Sequence, residues 1–424
     1  MKTKIKKWGI NGEGIAYIKK KPVFIPYVLP NEVVDCHIVK EKPRFMLGEM
    51  DRIVEKSSRR RYPICSLWQS CGGCAMMHAQ YKEQCKMKEQ IVKESLRKYT
   101  NYKGKVNPIL KNPNPLGYRN MCKFPLKQVN GKWKSGMYAS NSQDFVSIDR
   151  CIIHEKFLEQ VRQNILTILN EYDLIGLKHL VLKTFEEKVQ IILVTEDVSL
   201  SQEFIDACMN LEHVVSFWQS IKTDDSLDVF GQKMICLAGE EKMELHLKDK
   251  KCQLLPRSFF QLNTQQAIHL YELIEEWCKK SNFLVEAYSG IGAISLFVAD
   301  KAKEIIGIEY NEDAVENAQM NAKLNGYDHI QFIAGDASSE LDKINKKIDT
   351  LIVDPPRKGL EDMVQVLLKK DIQNIIYVSC NPSTLAKDLH QLEKKYKIEK
   401  VQPVDIFSQT PHVETVVLMS RVQK

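Results

Sequence analysis

The sequence predicts three domains: a small β-barrel, an α+β domain that carries a cysteine cluster, and a doubly wound α/β domain. Short apolar runs separated by Gly, Pro and Asn fill the first 57 residues, a pattern typical of small barrels. Three cysteines lie within ten residues, between positions 65 and 74. From about residue 250, strand-like and helix-like runs alternate, which indicates a mostly parallel sheet covered by helices. We therefore divide the 424 residues into domains spanning 1–57, 58–245 and 246–424.

The first domain is predicted to be an OB-like barrel. Its strand-like runs are Gly14–Ile18, Pro22–Leu29 and Glu32–Val39, and an alternation of apolar and charged residues continues through Ile53. Strands of this length at this spacing, punctuated by turn residues, are typical of small closed sheets. Residues 57–63, with three consecutive arginines, are predicted to be a linker.

In the second domain, helix-like patterns are separated by less regular chain. A helix is predicted from about Gln80 to Arg97 and another near Glu155–Glu171, followed by strands at His179–Thr184 and Val189–Val194. The stretch between the two helices is rich in Asn, Gly and Pro, and we assign no regular element to it.

The third domain is predicted to have a Rossmann-like strand–helix order. Helices are expected at Asp313–Asn325 and Ser383–Tyr396. The strand-like runs are Phe283–Ala287, Glu304–Glu309, Ile330–Ile333, Thr350–Asp354, Ile375–Ser379 and His412–Met419. Ligands of such sheets bind beyond the carboxyl ends of the strands, so the polar motifs at these ends are the candidate site.

Charged residues are distributed unevenly along the chain. Residues 1–143 contain 29 Lys and Arg against 10 Asp and Glu, whereas residues 144–424 contain 32 against 44. From Lys98 to Gln143 there are nine basic residues and no acidic residue. A basic third followed by an acidic remainder indicates a surface that binds a polyanion such as a nucleic acid; a solvated lysine-rich surface is the alternative.

Composition excludes several other classes of protein. No apolar run reaches 18 residues, so we expect no membrane span and no membrane partner. No long apolar stretch follows the basic start, so we expect no secretory signal and a cytoplasmic location. We also expect the protein to be a monomer. Twelve cysteines in 424 residues are too few for a disulfide scaffold, and their clustering points to a metal or to catalysis.

A glycine turn follows the first strand of the third domain. Gly290 and Gly292 allow a tight turn and close approach of a ligand, but Ser295 stands where a dinucleotide fingerprint needs a third glycine. Glu309 ends the next strand, where a carboxylate can accept bonds from two ribose hydroxyls, and Asp336 ends the third strand. Together these residues favour an adenosine ligand without phosphates, such as S-adenosylmethionine.

Three further motifs carry reactive groups. Asp354 precedes two prolines that fix its backbone, and Arg357 takes the place where amine methyltransferases have an aromatic residue. Cys380 opens a helix, whose dipole is expected to lower the thiol pKa, and Glu414 begins the last strand. A thiolate and a base are what methylation of a pyrimidine at C5 requires, because C5 becomes nucleophilic only after attack at C6.

The cysteine cluster is predicted to bind metal. Cys65, Cys71 and Cys74 place three thiols close together around two glycines. Four thiolates bind either zinc or a [4Fe–4S] cluster, so spacing alone leaves the metal open. It also leaves the fourth ligand open; the candidates are Cys85, Cys122, Cys151 and His78.

Five segments of the third domain, in this order, resemble the RNA uracil-5-methyltransferases: residues 258–263, 287–292, 354–359, 379–382 and 412–416. The resemblance implies that Cys380 attacks C6 of uracil and that Glu414 removes the C5 proton. The S-adenosylmethionine contacts that it implies are Gln261, Tyr288, Gly290, Glu309, Asp336 and Asp354. Asp354 is also a candidate for contact with the substrate uracil. Two residues depart from the family pattern: Glu286 stands where the family usually has Asp, and Ala293 replaces a more usual polar residue.

The remaining resemblances concern RNA. The segment Gly12–Tyr17 is similar to the TRAM module, a small RNA-binding barrel, and Arg119 lies in a family-like segment as a candidate contact to substrate RNA. The ribosomal branch of the family has an iron–sulfur cluster completed by a distant cysteine, which corresponds to Cys151. The resemblance therefore implies a [4Fe–4S] cluster, with zinc as the lesser alternative.

TRAM and the cysteine cluster accompany the branch that methylates 23S rRNA, so 23S rRNA is the predicted substrate. The alternatives are the same reaction on tRNA, an RNA cytosine-5-methyltransferase, and a non-enzymatic RNA-binding assembly factor. Trp68, Tyr118 and Trp133 lie near the basic residues in the sequence and are therefore candidates for stacking on unpaired bases. Packing in the core is the alternative interpretation.

Overall fold

A computed structural model describes residues 1–139 and 142–422. The N-terminal domain is a small barrel of six strands in the order β1-β5-β6-β4-β3-β2. The strands are β1 (Lys2–Lys4), β2 (Lys7–Trp8), β3 (Gly14–Ile18), β4 (Lys21–Ile25), β5 (Val33–Glu41) and β6 (Met46–Glu55). The first segment of chain pairs with β5 through β1 and, through the Lys6 amide that donates to Ile15 O at 2.8 Å, with β3. This shared segment closes the sheet around the buried side chains of Ala16, Val23 and Ile25.

The predicted linker after the barrel is tied down by its three arginines. Arg59 binds Glu83, and Arg60 binds the fully buried carboxylate of Glu32 inside the barrel. Arg61 donates from Nε to Met77 O at 2.8 Å and from a terminal nitrogen to Gln409 Oε1 at 2.7 Å. Residues 57–63 contain no helix or strand, and each guanidinium fixes this connecting segment to a different part of the protein.

The central sheet has seven strands in the order β13-β12-β11-β10-β7-β8-β9. The strands are β7 (Met121–Val129), β8 (Lys132–Tyr138), β9 (Phe145–Ser147), β10 (Leu177–Phe185), β11 (Lys188–Thr195), β12 (Val214–Ile221) and β13 (Lys233–Gly239). Helices α2 (Lys156–Leu169) and α3 (Gln202–Met209) cover one face, where Leu158, Ile165 and Phe204 are buried. Helix α1 (Tyr81–Tyr99) precedes this sheet in the chain but packs elsewhere.

The C-terminal sheet has seven strands in the order β18-β17-β16-β19-β20-β22-β21, and all neighbours are parallel except those that involve β22. A hairpin of β14 (Met243–Leu247) and β15 (Lys250–Leu254) precedes it. The strands are β16 (Ser281–Ala287), β17 (Ala302–Glu309), β18 (Ile330–Ala334), β19 (Ile348–Val353), β20 (Ile372–Ser379), β21 (Tyr396–Val404) and β22 (Glu414–Arg421). The helices are α4 (Thr264–Trp277), α5 (Ala293–Phe297), α6 (Glu312–Leu324), α7 (Ala337–Lys343), α8 (Met363–Lys369) and α9 (Pro382–Leu392). This is the doubly wound arrangement that the strand–helix alternation predicts.

Two features relate the predicted domain limits to the cores. Leu245 and Leu254 of the β14–β15 hairpin are buried with the C-terminal sheet, so position 245 lies inside an element of that core. Val92 and Leu96 of α1 are buried on the other face of the same sheet. The segment that contains α1 therefore packs with the C-terminal domain although the cysteine cluster and the central sheet flank it in sequence. Within the described residues, the structure has no helix long and apolar enough to cross a membrane.

Candidate active site

A cavity of about 760 Å³ opens at the carboxyl ends of β16, β17, β18 and β19. A parallel sheet is expected to hold its ligand there, because helix N-termini and loops converge on that edge. The cavity is lined by all six predicted cofactor contacts: Gln261, Tyr288, Gly290, Glu309, Asp336 and Asp354. The sequence prediction thus identified one contiguous surface.

The glycine turn shapes one wall of this cavity. Tyr288, Gly290 and Gly292 have φ values of +65°, +53° and +78°. A Cβ built on Gly292 would lie 2.6 Å from Phe332 Cζ, whereas a Cβ on Gly290 would meet no described atom within 4 Å. Gly292 is therefore required by packing beneath the turn, and Gly290 leaves its backbone open toward the cavity.

Glu309 is held with both carboxylate oxygens in defined positions. The Gly290 amide donates to Oε2 and the Asn311 amide donates to Oε1, each at 3.0 Å. Each oxygen keeps a further lone pair for a ligand hydroxyl. The geometry suits a carboxylate that accepts bonds from two adjacent hydroxyl groups.

Asp336 has a local structural task in addition to lining the cavity. Its Oδ1 accepts bonds from the Ser339 amide at 2.9 Å and the Ser339 hydroxyl at 2.8 Å, so the side chain caps α7. These hydrogen bonds hold the pKa of Asp336 below its usual value. Only its second oxygen is left to face a ligand.

Ser295, which replaces the third glycine of the dinucleotide pattern, has a partner that the sequence did not suggest. Its hydroxyl donates to the carboxyl group of Glu286, which is buried beneath the turn. Burial raises the pKa of Glu286 to about 8. The departure at Glu286 is thus matched by a hydroxyl at Ser295: Glu286 lines the cavity, and Ser295 is buried behind it.

The segment that carries Gln261 is positioned by two residues of the central domain that sequence reasoning missed. Asn120 donates from Nδ2 to Gln261 O at 3.0 Å and to Thr264 Oγ1 at 2.9 Å. Lys183 donates to Ser258 O at 2.9 Å, and burial lowers its pKa to about 7. Both side chains are buried, and no local pattern marks them, because their partners lie more than 70 positions away.

Cys380 follows the end of β20, and Glu414 begins the neighbouring antiparallel strand β22. The β20–β22 ladder ends with Ser379 paired to Thr415, and Cys380 and Glu414 are the next residues beyond that last pair on the two sides. Asn381 caps α9 by accepting a bond from the Ser383 amide at 3.1 Å, which fixes the thiol at the start of the helix. Residues 34 positions apart in sequence are thereby brought to one point at the edge of the sheet.

The expected lowering of the Cys380 pKa was wrong. Burial, together with the carboxyl groups of Glu414 and Asp354, raises the pKa of this half-buried thiol to about 11, although Arg357 opposes them. Burial likewise raises the pKa of Glu414 to about 8, with Asp354 adding to the effect, and that of Asp354 to about 7. The helix dipole is outweighed because the site holds two acids in a desolvated space.

The loop that leads to Glu414 is anchored by a buried ion pair. Lys88 of α1 binds Asp405, and both side chains are fully buried. Lys88 also donates to Phe407 O at 2.9 Å, and the Asp405 carboxylate accepts bonds from the Tyr81 and Ser408 hydroxyls, each at 2.6 Å. Helix α1 therefore holds the chain just before the candidate base.

The four predicted metal ligands line a second, small cavity. Cys65, Cys71, Cys74 and Cys151 surround a space of about 30 Å³ whose other walls include Trp68, Met77 and Ile153. Burial, together with the neighbouring thiols of Cys151, Cys71 and Cys65, raises the pKa of Cys74 to about 12. Across residues 1–139 and 142–422, no three His, Cys, Asp or Glu side chains are already set as ligands of one metal ion.

The other candidates for a fourth ligand lie elsewhere. Cys122 is buried in the core of the central domain, and Cys85 is buried against the C-terminal sheet. The His78 ring stacks on Trp68 with centroids 5.4 Å apart. Cys151 is thus the candidate that shares a cavity with the other three cysteines.

Buried polar groups support the Cys151 segment. The Cys151 amide donates to Glu159 Oε1 at 2.9 Å, and His154 Nδ1 lies 3.0 Å from Glu159 Oε2. Arg162 donates to Asp149 O at 2.7 Å and also binds Glu159. Hydrogen bonds from His154 and Arg162 outweigh burial and lower the pKa of Glu159 to about 2.

Arg119 lies beside the cysteines. Its amide donates to Ile153 O at 2.8 Å, and its Nε donates to Met121 O at 2.9 Å. Its charge opposes the rise in the pKa of Cys71, Cys74 and Cys151. The side chain is half-buried, and its contact with RNA stays a prediction.

The aromatic candidates for base stacking differ in exposure. Tyr118 is buried, and its hydroxyl donates to Ser408 O at 2.9 Å, so core packing describes it. Trp68 and Trp133 are half-buried. Trp68 packs edge-on against Tyr27 of the barrel, which makes it part of the contact between the first two domains.

The chain is similar to known proteins over nearly its whole length. Residues 80–422 match the sequence profile of a family described as tRNA (Uracil-5-)-methyltransferase, and residues 3–50 match that of the TRAM domain. The chain is 35% identical to an uncharacterised RNA methyltransferase of Listeria innocua, with 98% of this chain and 96% of the relative covered. It is also 35% identical to an uncharacterised RNA methyltransferase of Clostridium tetani, with 97% and 94% covered.

One solved structure is similar across the full chain. The tRNA (uracil-54, C5)-methyltransferase of Pyrococcus abyssi, in complex with S-adenosyl-L-homocysteine, matches with a TM-score of 0.79 and 24% sequence identity. The match covers 99% of this chain and 100% of that one. At this identity the likeness describes the fold alone.

Proposed function

The chain belongs to the tRNA (uracil-5-)-methyltransferase family and carries an N-terminal TRAM domain, and from this membership we propose which residues perform the reaction and which RNA is methylated. The protein is an S-adenosylmethionine-dependent RNA uracil-5-methyltransferase. We assign the nucleophile to Cys380, the base to Glu414 and the substrate to a uridine of 23S rRNA. The observation that supports the catalytic pair is the register of β20 and β22, whose last pair, Ser379 with Thr415, is adjoined by both residues.

In the proposed reaction, the Cys380 thiolate forms a bond to C6 of uracil and moves the C5–C6 electron pair toward C5. S-adenosylmethionine, when bound, would supply the methyl group: C5 forms its bond to the methyl carbon as the bond from that carbon to the positively charged sulfur breaks, which leaves neutral S-adenosylhomocysteine. Glu414 then accepts the C5 proton, the C5–C6 double bond re-forms, and the bond between Sγ and C6 breaks to return the thiolate. The target base has to leave its stack to reach this site.

The acids near Cys380 provide the proton acceptors that this sequence needs. With a pKa of about 7, Asp354 is largely ionised above neutral pH, and its charge acts on the Cys380 thiol; we assign it as the acceptor of the thiol proton. Arg357 and Lys88 both oppose the rise in the Glu414 pKa, so their charges favour the ionised base. We therefore expect methyl transfer to increase between pH 7 and about 8.5, because both carboxyl groups ionise in that interval.

Two substitutions test the catalytic pair. Cys380→Ala should abolish methyl transfer, and Glu414→Gln should transfer the methyl group but leave enzyme and RNA covalently joined, visible as a band that survives denaturing electrophoresis. Cys236→Ala, at a half-buried cysteine of β13, is the matched control and should turn over normally. Normal turnover by Glu414→Gln would show that another group removes the C5 proton.

The choice of 23S rRNA is supported by the TRAM domain, the cysteine cavity and the basic first third of the chain. Unmethylated 23S rRNA and tRNA transcripts, each incubated with labelled S-adenosylmethionine, should show transfer to the rRNA. Transfer to tRNA alone would favour the tRNA alternative, and labelled 5-methylcytidine would favour the cytosine enzyme. Absence of transfer to any RNA would leave the assembly-factor alternative. Mapping 5-methyluridine in RNA from a deletion strain would identify the nucleotide.

We further propose that Cys65, Cys71, Cys74 and Cys151 hold a [4Fe–4S] cluster with a structural role. Four thiols around one apolar cavity are the donor set that such a cluster uses, and the nearby Arg119 favours their thiolate forms. A bound cluster would link residues 65–74 to the chain at residue 151. Protein purified without oxygen should contain about four irons and four sulfides.

The metal content of matched variants decides between cluster and zinc. Cys151→Ser should lose the iron, whereas Cys236→Ser should retain it. Colourless protein with one zinc per chain would overturn the cluster assignment, and full iron content in Cys151→Ser would exclude Cys151 as a ligand.

A further inference from the structure

We propose that one solvent face at the β7–β8–β9 edge of the central sheet is a platform on which unpaired RNA bases stack before the target uridine enters the active site. The residues of this stacking face are Lys127, Lys132, Lys134, Tyr138 and Phe145. The proposal rests on the RNA methyltransferase activity given above, because that activity supplies the partner.

Strand register places these five side chains on one face. Lys127 pairs with Lys134, Val129 pairs with Lys132, and Tyr138 pairs with Phe145. Directly paired residues of neighbouring strands project to the same side, and residues two apart on a strand do so as well. The opposite side carries Phe124 and Leu126, which are buried in the core. The stacking face therefore points away from the core.

Two aromatic rings and one ammonium group are grouped on this face. The Tyr138 and Phe145 rings lie edge to face with centroids 6.4 Å apart. Lys127 Nζ lies 5.1 Å from the Tyr138 centroid and 5.7 Å from the Phe145 centroid. Tyr138 is 43% exposed, so part of its ring surface is open to a partner.

The surrounding charge is complementary to RNA. The sequence from Lys98 to Gln143 contains no acidic residue, and Lys132 is exposed on the same face. Lys134 Nζ lies 3.8 Å from a carboxylate oxygen of Asp149, whose side chain is 92% exposed, so that lysine is weakly paired. Sheets that present aromatic rings among basic residues are a recurrent way to bind single-stranded RNA.

The same side of the sheet leads to the cofactor cavity. A row of directly paired residues runs across four strands: Lys123 pairs with Val181, Val181 with Ile192, and Ile192 with Trp218. Trp218 lines the cavity that contains the predicted cofactor contacts. At about 4.8 Å per strand step, the row spans roughly 15 Å. Val181 and Ile192 of this row are fully buried, so the row is an internal connection and not an open path for RNA. It fixes the distance between the platform, which shares β7 with Lys123, and the cofactor cavity.

The partner that fits is single-stranded RNA rather than duplex RNA or an acidic protein. Stacking requires splayed bases, which a duplex withholds, and two rings with a shared cation match base faces as well as phosphates. An acidic peptide would use the lysines but leave the Tyr138 ring without a role. The test below includes both alternatives as outcomes.

Binding of a fluorescein-labelled oligoadenylate of about 12 nucleotides tests the platform without any methyl transfer. Tyr138→Ala should weaken binding roughly 5- to 150-fold, the range for loss of one stacked base, while Tyr138→Phe should bind like the wild type. Changing Lys127, Lys132 and Lys134 together to Gln should weaken binding and reduce the slope of log K against log salt by about 2. Since the oligonucleotide contains no uridine, these results do not depend on the catalytic assignment.

The control variant changes Lys279, Lys280 and Lys394 to Gln at the opposite, amino-terminal edge of the C-terminal sheet, and it should retain wild-type affinity. Heparin has charge but no bases, so Tyr138→Ala should bind heparin as the wild type does. In the unmodified protein, 4-thiouridine RNA should cross-link to the peptide that contains Tyr138 or Phe145.

Wild-type oligoadenylate binding by Tyr138→Ala would overturn the proposal. Cross-links confined to other segments would do so as well, as would tighter binding of duplex RNA or polyglutamate than of the oligonucleotide.

Discussion

Replacing Lys88 by Met should destabilise the protein, because it leaves the Asp405 carboxylate buried without its counter-ion. Removing one partner of a buried ion pair typically costs about 3–5 kcal/mol. Here the Tyr81 and Ser408 hydroxyls still donate to one oxygen of Asp405, so we expect the low end, about 3 kcal/mol. Asp405→Asn should cost a similar amount, because it leaves the Lys88 ammonium with the Phe407 carbonyl as its remaining described partner.

The double variant provides the decisive measurement. With Lys88→Met and Asp405→Asn combined, no charge remains buried at this place, so the loss should be smaller than the sum of the single losses by at least about 2 kcal/mol. Lys86→Met, at an exposed position two residues earlier on α1, should stay within about 0.5 kcal/mol of the wild type.

Unfolding in urea, followed by tryptophan fluorescence, gives these free energies, and thermal melts give a second measure. A loss of about 3 kcal/mol corresponds to a drop in melting temperature of roughly 6–12 °C. Additive single losses, or a Lys88→Met variant within about 1 kcal/mol of the wild type, would refute the argument that the pair holds the loop before Glu414 through its charge.

Three other outcomes are expected. Gly292→Ala should reduce S-adenosylhomocysteine affinity about tenfold or more in calorimetry, because its Cβ would lie 2.6 Å from Phe332 Cζ at a positive φ; unchanged affinity would contradict the packing argument. Glu414→Gln should make the ligand-free protein roughly 2–4 kcal/mol more stable at pH 8 but not at pH 4. The Glu414 pKa of about 8 in the folded protein exceeds the usual 4.5, so the wild-type protein loses stability as the pH rises from 4.5 to 8. Equal urea midpoints of the two proteins at pH 8 would contradict this prediction. Binding of S-adenosylmethionine at pH 7.5 should release more protons than binding of S-adenosylhomocysteine, because a positive sulfur near Asp354 and Glu414 should lower the pKa of both carboxyl groups. Calorimetry in two buffers of different ionisation enthalpy measures the number of protons released. Equal release with the two ligands would place the sulfur away from both acids.

The parallel sheet and its cavity were accessible from the sequence for a physical reason. Each central strand is a continuous apolar run, and the ligand-facing residues follow immediately at the strand end, so a linear motif maps onto one edge. Glu309 and Asp354 are examples, since both occur directly at such an end and both line the cavity. At the strand ends, the position of a residue in the sequence motif therefore predicts its position in the folded site.

Other features depend on contacts between distant residues. The Cys380 pKa is set by burial and by Glu414, 34 positions away, and the helix start beside the thiol gives no sign of either. The sequence of α1 has an apolar stripe, but it does not indicate whether that stripe packs against the first, the central or the C-terminal domain. Asn120 resembles any loop asparagine until Gln261 is folded against it.

Strands β7 and β8 illustrate a different difficulty. Their apolar side alternates with lysines, as in Phe124, Leu126 and Lys127, but Pro125 and the Asn130–Gly131 turn favour an irregular assignment. The alternation was a usable signal, and the turn is of the kind that joins two antiparallel strands.

The three consecutive arginines after the barrel have a geometric consequence for substrate choice. Arg59, Arg60 and Arg61 hold α1, the barrel and the loop at Gln409, so one short segment sets the spacing between the barrel and the catalytic edge. These contacts restrict movement of the barrel relative to the catalytic edge. If RNA contacts the barrel while Cys380 attacks uracil, as proposed, we expect methylation only of a uridine that lies at a matching distance from the nucleotides on the barrel. Distance along a folded RNA would then be a criterion for methylation in addition to base identity.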